Sequence, residues 1–300
     1  MISVCIPVYN FNIEELIKIL SKQAVEINAE IIIIDDASKI FRKQNRTLAQ
    51  KLPNTKYIQL EKNIGRSRIR NMFLKYAKFD YLLFLDCDSI ISSPVFLKKY
   101  GEIIKKEKPE VVCGGRFYGE KPRNRKQMLR WKYGTIIETK PAHIRELTPN
   151  LSFMTNNFLI RKDIFEKIKF NEQIVKYGYE DTLFGYDLKR HGIKIFHIGN
   201  PVANGELEVN KDFVKKTEQA IENLIYIVKN IELSKGFSED IALLSEFETL
   251  KEQNKVKYYK FIFLLLKTPI KLMLKSGFAS IKLFNFYRLG YFIYKYNQIK

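Results

Sequence analysis

The sequence predicts an α/β protein on a mainly parallel, doubly wound sheet, with a helical extension at its C-terminal end. Three observations predict it. Short, continuous apolar runs alternate with amphipathic stretches from Ile2 to Tyr118, and strands that apolar are buried on both faces, as in sheets whose crossovers are helices. Polar and acidic residues collect where these runs end, at the rim where such sheets bind ligands. Near the C-terminus the pattern changes to long apolar stretches punctuated by lysine.

The elements follow in order. "ISVCIPVY" is a buried first strand, and "NIEELIKILSKQA" is a helix, with apolar residues at helical spacing. "AEIIIIDDAS" is a second strand ending in Asp35 and Asp36, and "NRTLAQKL" the helix after it. "TKYIQLEK" is a third strand and "GRSRIRNMFLKYA" a helix. "YLLFLDCDS" is a fourth strand, leading to a helix from Pro94 to Lys106, and "EVVCGGRFY" is a fifth. Residues 116–150 are basic and irregular, and read as a long loop or helical insertion over the site. "SFMTNNFLIRKDIFEKI" then supplies a strand and a helix, and "YGYEDTLFGYDLKRHG" an acidic loop entering a helix. "IKIFHIGN" is a late strand, and "VNKDFVKKTEQAIENLIYIVKNI" a long amphipathic helix.

Composition narrows the function. A hydrophobic content of 46% over 300 residues supports a sizeable core and excludes general disorder. The three cysteines, Cys5, Cys87 and Cys113, have neither metal-type nor disulfide-framework spacing, and are expected as reduced thiols in a cytosolic protein. The start, "MISVCIPVYN", lacks the basic leader and long apolar run of a secretory signal, so none is expected. No apolar window approaches the ~18 residues that span a bilayer. No G-x-G-x-x-G follows the first strand and no G-x-x-x-x-G-K-[ST] occurs, which argues against a dinucleotide dehydrogenase or a P-loop NTPase. The net charge of +19 points to an anionic partner.

Asp86 and Asp88 are two apart at the end of a strand and point the same way. Two carboxylates so placed suit one hard divalent cation, and through it a diphosphate. Taken alone, "DCDS" also suits a turn and helix N-cap. Gly65, at the start of a helix, permits close backbone approach where a phosphate is favoured.

"CIPVYN", "IIIIDDAS", "NIGRSRIRN", "LDCDS" and "YGYEDTLFGYDLKRHG" occur in this order, each at a predicted strand or helix end. Together they resemble the inverting glycosyltransferases of family 2, over roughly residues 1–230, a bacterial glycan-biosynthesis type. The resemblance implies a GT-A (nucleotide-diphospho-sugar transferase) domain over 1–230 and a helical, basic, amphipathic extension over 231–300. It implies a UDP-sugar donor, a glycan or lipid-linked acceptor, and Mn²⁺ or Mg²⁺. By the same resemblance Asp88 binds the metal directly, and Asp86 contacts the ribose and the metal's water shell. Pro7, Val8, Tyr9 and Asn10 line the base, and Asp35 or Asp36 accepts a hydrogen bond from the uracil ring N–H. Asn63, Gly65 and Arg70 lie near the nucleotide, while Arg66 and Arg68 are expected to be solvated.

Inverting transfer needs a base for the acceptor hydroxyl. The resemblance assigns this to Asp181, with Glu180 contacting the acceptor, although both acids also suit a helix start on electrostatic grounds. Asn156 and Asn157 are expected on the acceptor side, and Trp131 and Tyr133 either to stack on a sugar or to anchor a loop. One departure stands out. Related enzymes often show N-P-V-x-H, whose histidine can ligate the metal, but this chain reads "NPVAN", Asn200 to Asn204. Asn204 and His197 are therefore carried as candidate third ligands.

Residues 251–300 hold ten lysines and one arginine against a single acid, Glu252. Lys257, Lys260, Lys267, Lys271, Lys275 and Lys282 fall within an arc of roughly 80° on a helical wheel, with Pro269 and Gly277 expected to kink or divide the helix. The remaining face is wide and apolar. It must lie on a membrane surface, on a partner or on the catalytic domain. Residues 256–296 are expected to bind an anionic membrane surface, with protein packing as the alternative and nucleic acid disfavoured, which places the protein in the cytoplasm, peripheral on the inner face of the membrane. Two other readings stand beside the glycosyltransferase: a sugar nucleotidyltransferase, whose Gly-rich loop after the first strand is missing, and a catalytically silent, membrane-recruited binding domain.

Overall fold

The computed structural model describes residues 1–231, 233 and 236–299. In chain order the elements are β1 (Ile2–Val8), α1 (Glu14–Ile27), β2 (Glu30–Asp35), α2 (Arg42–Lys51), β3 (Thr55–Gln59), α3 (Arg66–Met72) and β4 (Tyr81–Leu85). They continue with β5 (Ser89–Ile90), α4 (Phe96–Glu107), β6 (Val111–Cys113), β7 (Arg116–Phe117), α5 (Met128–Tyr133), α6 (Ala142–Glu146), β8 (Asn157–Arg161) and α7 (Lys162–Lys167). The remainder are α8 (Glu180–Arg190), β9 (Ile195–His197), β10 (Val202–Asn204), α9 (Asn210–Asn230), α10 (Gly236–Asp240), α11 (Ala242–Glu252), α12 (Val256–Ser276) and α13 (Ile281–Tyr296).

The described chain forms two compact units. The first comprises Met1–Gly119, Glu138–Val175 and Glu180–Glu206. Its seven-stranded sheet runs β3-β2-β1-β4-β8-β6-β9. All pairings are parallel except those of β8, which lies antiparallel to both β4 and β6. Alternate residues of the central strands feed two cores. Val4, Ile6, Ile31, Ile33, Leu83 and Leu85 pack with α1 and α4 on one face, and Cys5, Ile32, Ile34, Leu82 and Phe84 pack with α3, α7 and α8 on the other. Stacked rings close the second core: Phe84 on Phe158 at 4.8 Å and Phe170 on Phe184 at 4.1 Å. All three cysteines are free thiols.

A second, three-stranded sheet, β5-β10-β7, sits just beyond β4 and β6 in the chain. It exists because "EVVCGGRFY" is not one strand. The backbone turns at Gly115 (φ +89°), a left-handed conformation that favours glycine, and Arg116 and Phe117 leave the large sheet for the small one.

The second unit comprises Glu120–Ile137, Lys176–Tyr179 and Leu207–Lys300. Here the helix α9 packs with α12 and α13. Glu218 of α9 accepts from Lys271 Nζ at 2.7 Å and from the Tyr287 hydroxyl, and Glu222 accepts from the Tyr291 hydroxyl at 2.7 Å. These pairings draw α9 into the helical unit, so the division falls near residue 207 rather than at 230. The expected insertion over 116–150 likewise divides between the two units. Helix α12 runs unbroken through Pro269 and stops at Gly277 (φ +86°), so only the second of the two expected breaks divides it.

Candidate active site

Strand β4 ends at Leu85, and the next residues are Asp86, Cys87 and Asp88. The Asp86 backbone N–H donates to the Asn156 carbonyl at 3.2 Å, which fixes where the pair emerges. Burial, and then the neighbouring Asp86 carboxylate, push the Asp88 carboxyl above its ordinary range. Cys87 between them is inert, because burial pushes its thiol up to about 12. Strand β10 closes over this turn: Asn204 pairs with Ser89, and a Cβ at Gly205 would stand 2.5 Å from the Asp88 carbonyl oxygen.

A buried arginine ties this turn to the acids of α8. Arg70, on α3 and 2% exposed, donates Nη2 to Asp86 Oδ1 at 3.2 Å and to Thr155 Oγ1 at 3.3 Å. Its Nη1 has no hydrogen-bond partner and stands 4.0 Å from Glu180 Oε1. Its guanidinium lies 5.4 Å from the centre of the Phe170 ring. Glu180 is itself buried, and also accepts from Arg66 Nη1 at 3.2 Å. Arg66 and Arg68 are both half exposed, as expected of solvated charges, yet Arg66 also reaches the buried Glu180. Arg68 stands 3.7 Å from the exposed Glu172.

Asp181 follows Glu180 at the start of α8. Burial, and then the Glu180 carboxylate, push its carboxyl up to about 6. Its Oδ1 accepts from Thr182 N at 2.7 Å. A carboxylate held near neutrality is suited to taking up a proton.

Several expected ligand contacts instead prove to hold loops together. Asp35 is fully buried, accepting from Ser38 N at 2.7 Å and the Tyr57 hydroxyl at 2.5 Å. Asp36, 5% exposed, accepts from Ile64 N at 2.7 Å and Gly65 N at 3.2 Å, so it shapes the loop whose Gly65 has φ +85°. The side chain of Val8 lies in the core. Asn10 accepts from Lys39 N at 2.7 Å, and the exposed Asn63 donates to the Asp36 carbonyl at 3.3 Å. Pro7 is half-buried, and Tyr9, 48% exposed, is the aromatic group left open at the end of β1. Asn157 is an internal hub, joined to the Tyr100 hydroxyl and to the Gly115 and Asn200 carbonyls. Asn156 differs: buried beside Asp86, its Oδ1 has no partner. Trp131 lies on α5 in the second unit, where Tyr133 packs on Phe213 and Phe284 as an anchor.

The chemistry of Asp86 and Asp88 fits a metal. Two hard carboxylates that disfavour each other's charge suit a hard divalent cation whose other positions go to water and diphosphate oxygens. Neither candidate third ligand is available. His197 is buried, with Nδ1 at 2.7 Å from Arg145 Nη1 and Nε2 at 2.9 Å from the Pro149 carbonyl. The Asn204 carboxamide oxygen accepts from Arg116 Nη2. Among the described residues no three His, Cys, Asp or Glu side chains gather into a ligand group.

A mainly parallel sheet with a two-carboxylate turn at its rim, linked by a buried arginine to a second acidic pair, defines a glycosyltransferase of the GT-A fold. The family model "Glycosyl transferase family 2" matches residues 3–169, more than half of the chain. The chain belongs to that family. It is similar to the minor teichoic acid biosynthesis protein GgaB of Bacillus subtilis, at 30% identity over 57% of this chain and 19% of that protein. Three curated relatives are matched over only 19 to 52% of their length. Among solved structures, S. aureus TarS 1-349 in complex with UDP-GlcNAc has a TM-score of 0.52 at 19% identity, covering 99% of this chain and 91% of that one. The mannosyltransferase PcManGT from Pyrobaculum calidifontis, in complex with GDP-Man and Mn²⁺, has a TM-score of 0.61 at 13% identity, covering 99% and 86%.

Proposed function

We propose that this chain transfers a sugar from a UDP-sugar to a hydroxyl group of a glycan or lipid-linked glycan, with inversion, using Asp181 as base. The observation that carries this reading is Arg70. It lies 3.2 Å from Asp86 and 4.0 Å from Glu180, the neighbour of Asp181, which supports reading the two acidic pairs as one site. The UDP-GlcNAc complex of TarS supports a uridine donor. The name of GgaB supports a cell-surface glycan as acceptor.

In the proposed reaction the acceptor oxygen attacks the anomeric carbon from the side opposite UDP. Asp181 takes the hydroxyl proton, the bond from the anomeric carbon to the diphosphate oxygen breaks, and UDP leaves with the electron pair. The products are the inverted glycoside, UDP and a protonated Asp181. Arg70 and Arg66 position Glu180 beside the base, and Tyr9 is the surface offered to the uracil ring. The buried Asn156 amide, unpartnered on Oδ1, is offered to a sugar hydroxyl. Asp86 and Asp88 would hold Mn²⁺ or Mg²⁺, which when bound neutralises the charge of the leaving diphosphate; the Mn²⁺ complex of PcManGT supports this.

The test is UDP release from a panel of UDP-sugars with glycan acceptors, alone and with Mn²⁺ or Mg²⁺. UDP released with a new glycoside of opposite anomeric configuration supports the reading. Release of pyrophosphate instead, or binding without turnover of any donor, overturns it.

A further inference from the structure

Helix α12 leaves a large apolar face uncovered. Its other side packs inward: Phe263, Ile270 and Leu274 are buried, with Phe263 5.6 Å from the Tyr287 ring. Outward, Tyr258, Phe261, Leu265 and Leu272, with Phe278 just past the helix end, are each 62–68% exposed. The four helical residues fall within an arc of about 60° at 100° per residue. Leu264, Leu266 and Met273 widen the stripe. An exposed face this rich in large apolar side chains, broken only by the small Thr268 and Ser276, marks an interaction surface rather than scattered surface residues.

The lysines do not all point where the helical wheel suggests. Lys271 turns inward to Glu218, and Lys267 lies 4.3 Å from the Tyr294 ring centre. Other cations border the stripe. Lys257 and Lys275 flank it about 40° beyond Phe261, and the Arg125 guanidinium sits 4.6 Å over the Phe278 ring. From Gln253 to Lys300 the chain contains no acid.

We infer that this face of α12, with Phe278 and its basic border, seats the chain on an anionic phospholipid surface. Charge decides the occupant. A second copy set on the same stripe would bring two rows of lysine together with no acid to pair them. An anionic bilayer offers the complementary charge, and an acyl boundary for the apolar stripe. No helix among the described residues is long and apolar enough to cross a membrane, so α12 lies in the interface rather than spanning it. Pro269 fits a shallow seat: it leaves the Leu265 carbonyl without its helical donor, which water and headgroups can satisfy but acyl chains cannot. The inference stands apart from the transfer chemistry.

Flotation of the full chain tests it, using phosphatidylcholine vesicles with and without phosphatidylglycerol. The wild type should float with the anionic vesicles and much less with the neutral ones. A Phe261→Ser/Leu265→Ser variant should partition about a hundredfold or more weakly. A Lys257→Gln/Arg125→Gln variant should lose about tenfold, with wild-type binding falling as salt is raised. Because all four side chains lie at the surface, the variants should melt with the wild type, and UDP binding in the same samples reports separately on the donor site. Wild type that stays in the soluble fraction, or a double variant that floats equally well, overturns the inference. So does a wild-type dimer that the Ser variant dissociates while neither floats, which assigns the face to a second copy.

Discussion

Replacing Asp181 with asparagine tests both the chemistry and the electrostatics of the site. The change is nearly isosteric, and an amide oxygen can keep the contact from Thr182 N at 2.7 Å. The protein should therefore fold and bind UDP as before. Transfer should fall by about 10²–10⁴-fold, the usual contribution of a positioned general base. Stability should move the other way. The Asp181 carboxyl is raised from 3.8 to about 6 by burial and Glu180, so between those values the folded chain holds a proton that the unfolded chain has released. Stability therefore falls as pH rises through that window, and the penalty is complete above it. Two units at roughly 1.4 kcal/mol each give an upper bound of about 3 kcal/mol. Partial solvent access reduces this to about 1–2 kcal/mol. Urea unfolding at pH 7.5 should show the variant more stable by that amount, and the difference should vanish near pH 4. Wild-type kcat/KM should lose its activity as pH falls through about 6. Turnover near the wild-type level refutes the base, and a variant less stable at pH 7.5 refutes the strained-carboxylate argument.

Three further outcomes follow from the same geometry. Arg70→Met leaves Asp86 and Glu180 without their shared cation and should lower the unfolding free energy by about 3 kcal/mol, read from the urea midpoint, with transfer lost as well. Gly205→Ala puts a methyl group against the Asp88 backbone carbonyl and should lower kcat/KM by about tenfold or more through a displaced Asp88 turn, with a lower melting temperature as well. His197→Gln should leave the Mn²⁺ or Mg²⁺ response unchanged, because the imidazole is committed to Arg145 and Pro149, yet cost about 1–3 kcal/mol of stability. Burial holds the His197 pKa below 6.5, so its contribution is present above that pH and is lost as pH falls below it.

Much of this architecture was legible in the sequence because strand chemistry is local. The apolar run before Asp86 could only be a buried strand, but Asp86 and Asp88 lie past its end in a turn, where a strand's period of two no longer acts. Asp181 and Arg70 stand out in the sequence by their place in ordered motifs, and the fold buries Arg70 between Asp86 and Glu180. The direction of β8 was not, since nothing in "NFLIR" distinguishes a strand inserted antiparallel between β4 and β6 from another parallel one. Nor was Arg66, whose partner Glu180 lies 114 residues away and is reached only by a long side chain.

The polar residues that find partners inside the fold share one physical cause. A strand that ends at a rim leaves backbone N–H and C=O groups to satisfy, and nearby carboxylates and amides are the means at hand. Asp35, Asp36, Asn157 and His197 do this, and in the folded chain their hydrogen bonds are met from within. Asn204 stands where expected, beside the Asp88 turn, but its oxygen serves Arg116. Around the Asp86 turn and the start of α8 some groups have no such answer: the Asp88 and Asp181 carboxyls are pushed up by burial and a neighbouring carboxylate, and Arg70 Nη1 and Asn156 Oδ1 lack hydrogen-bond partners. Each carries a cost that internal packing does not offset, and under the proposed function a sugar nucleotide and its acceptor would supply what is missing.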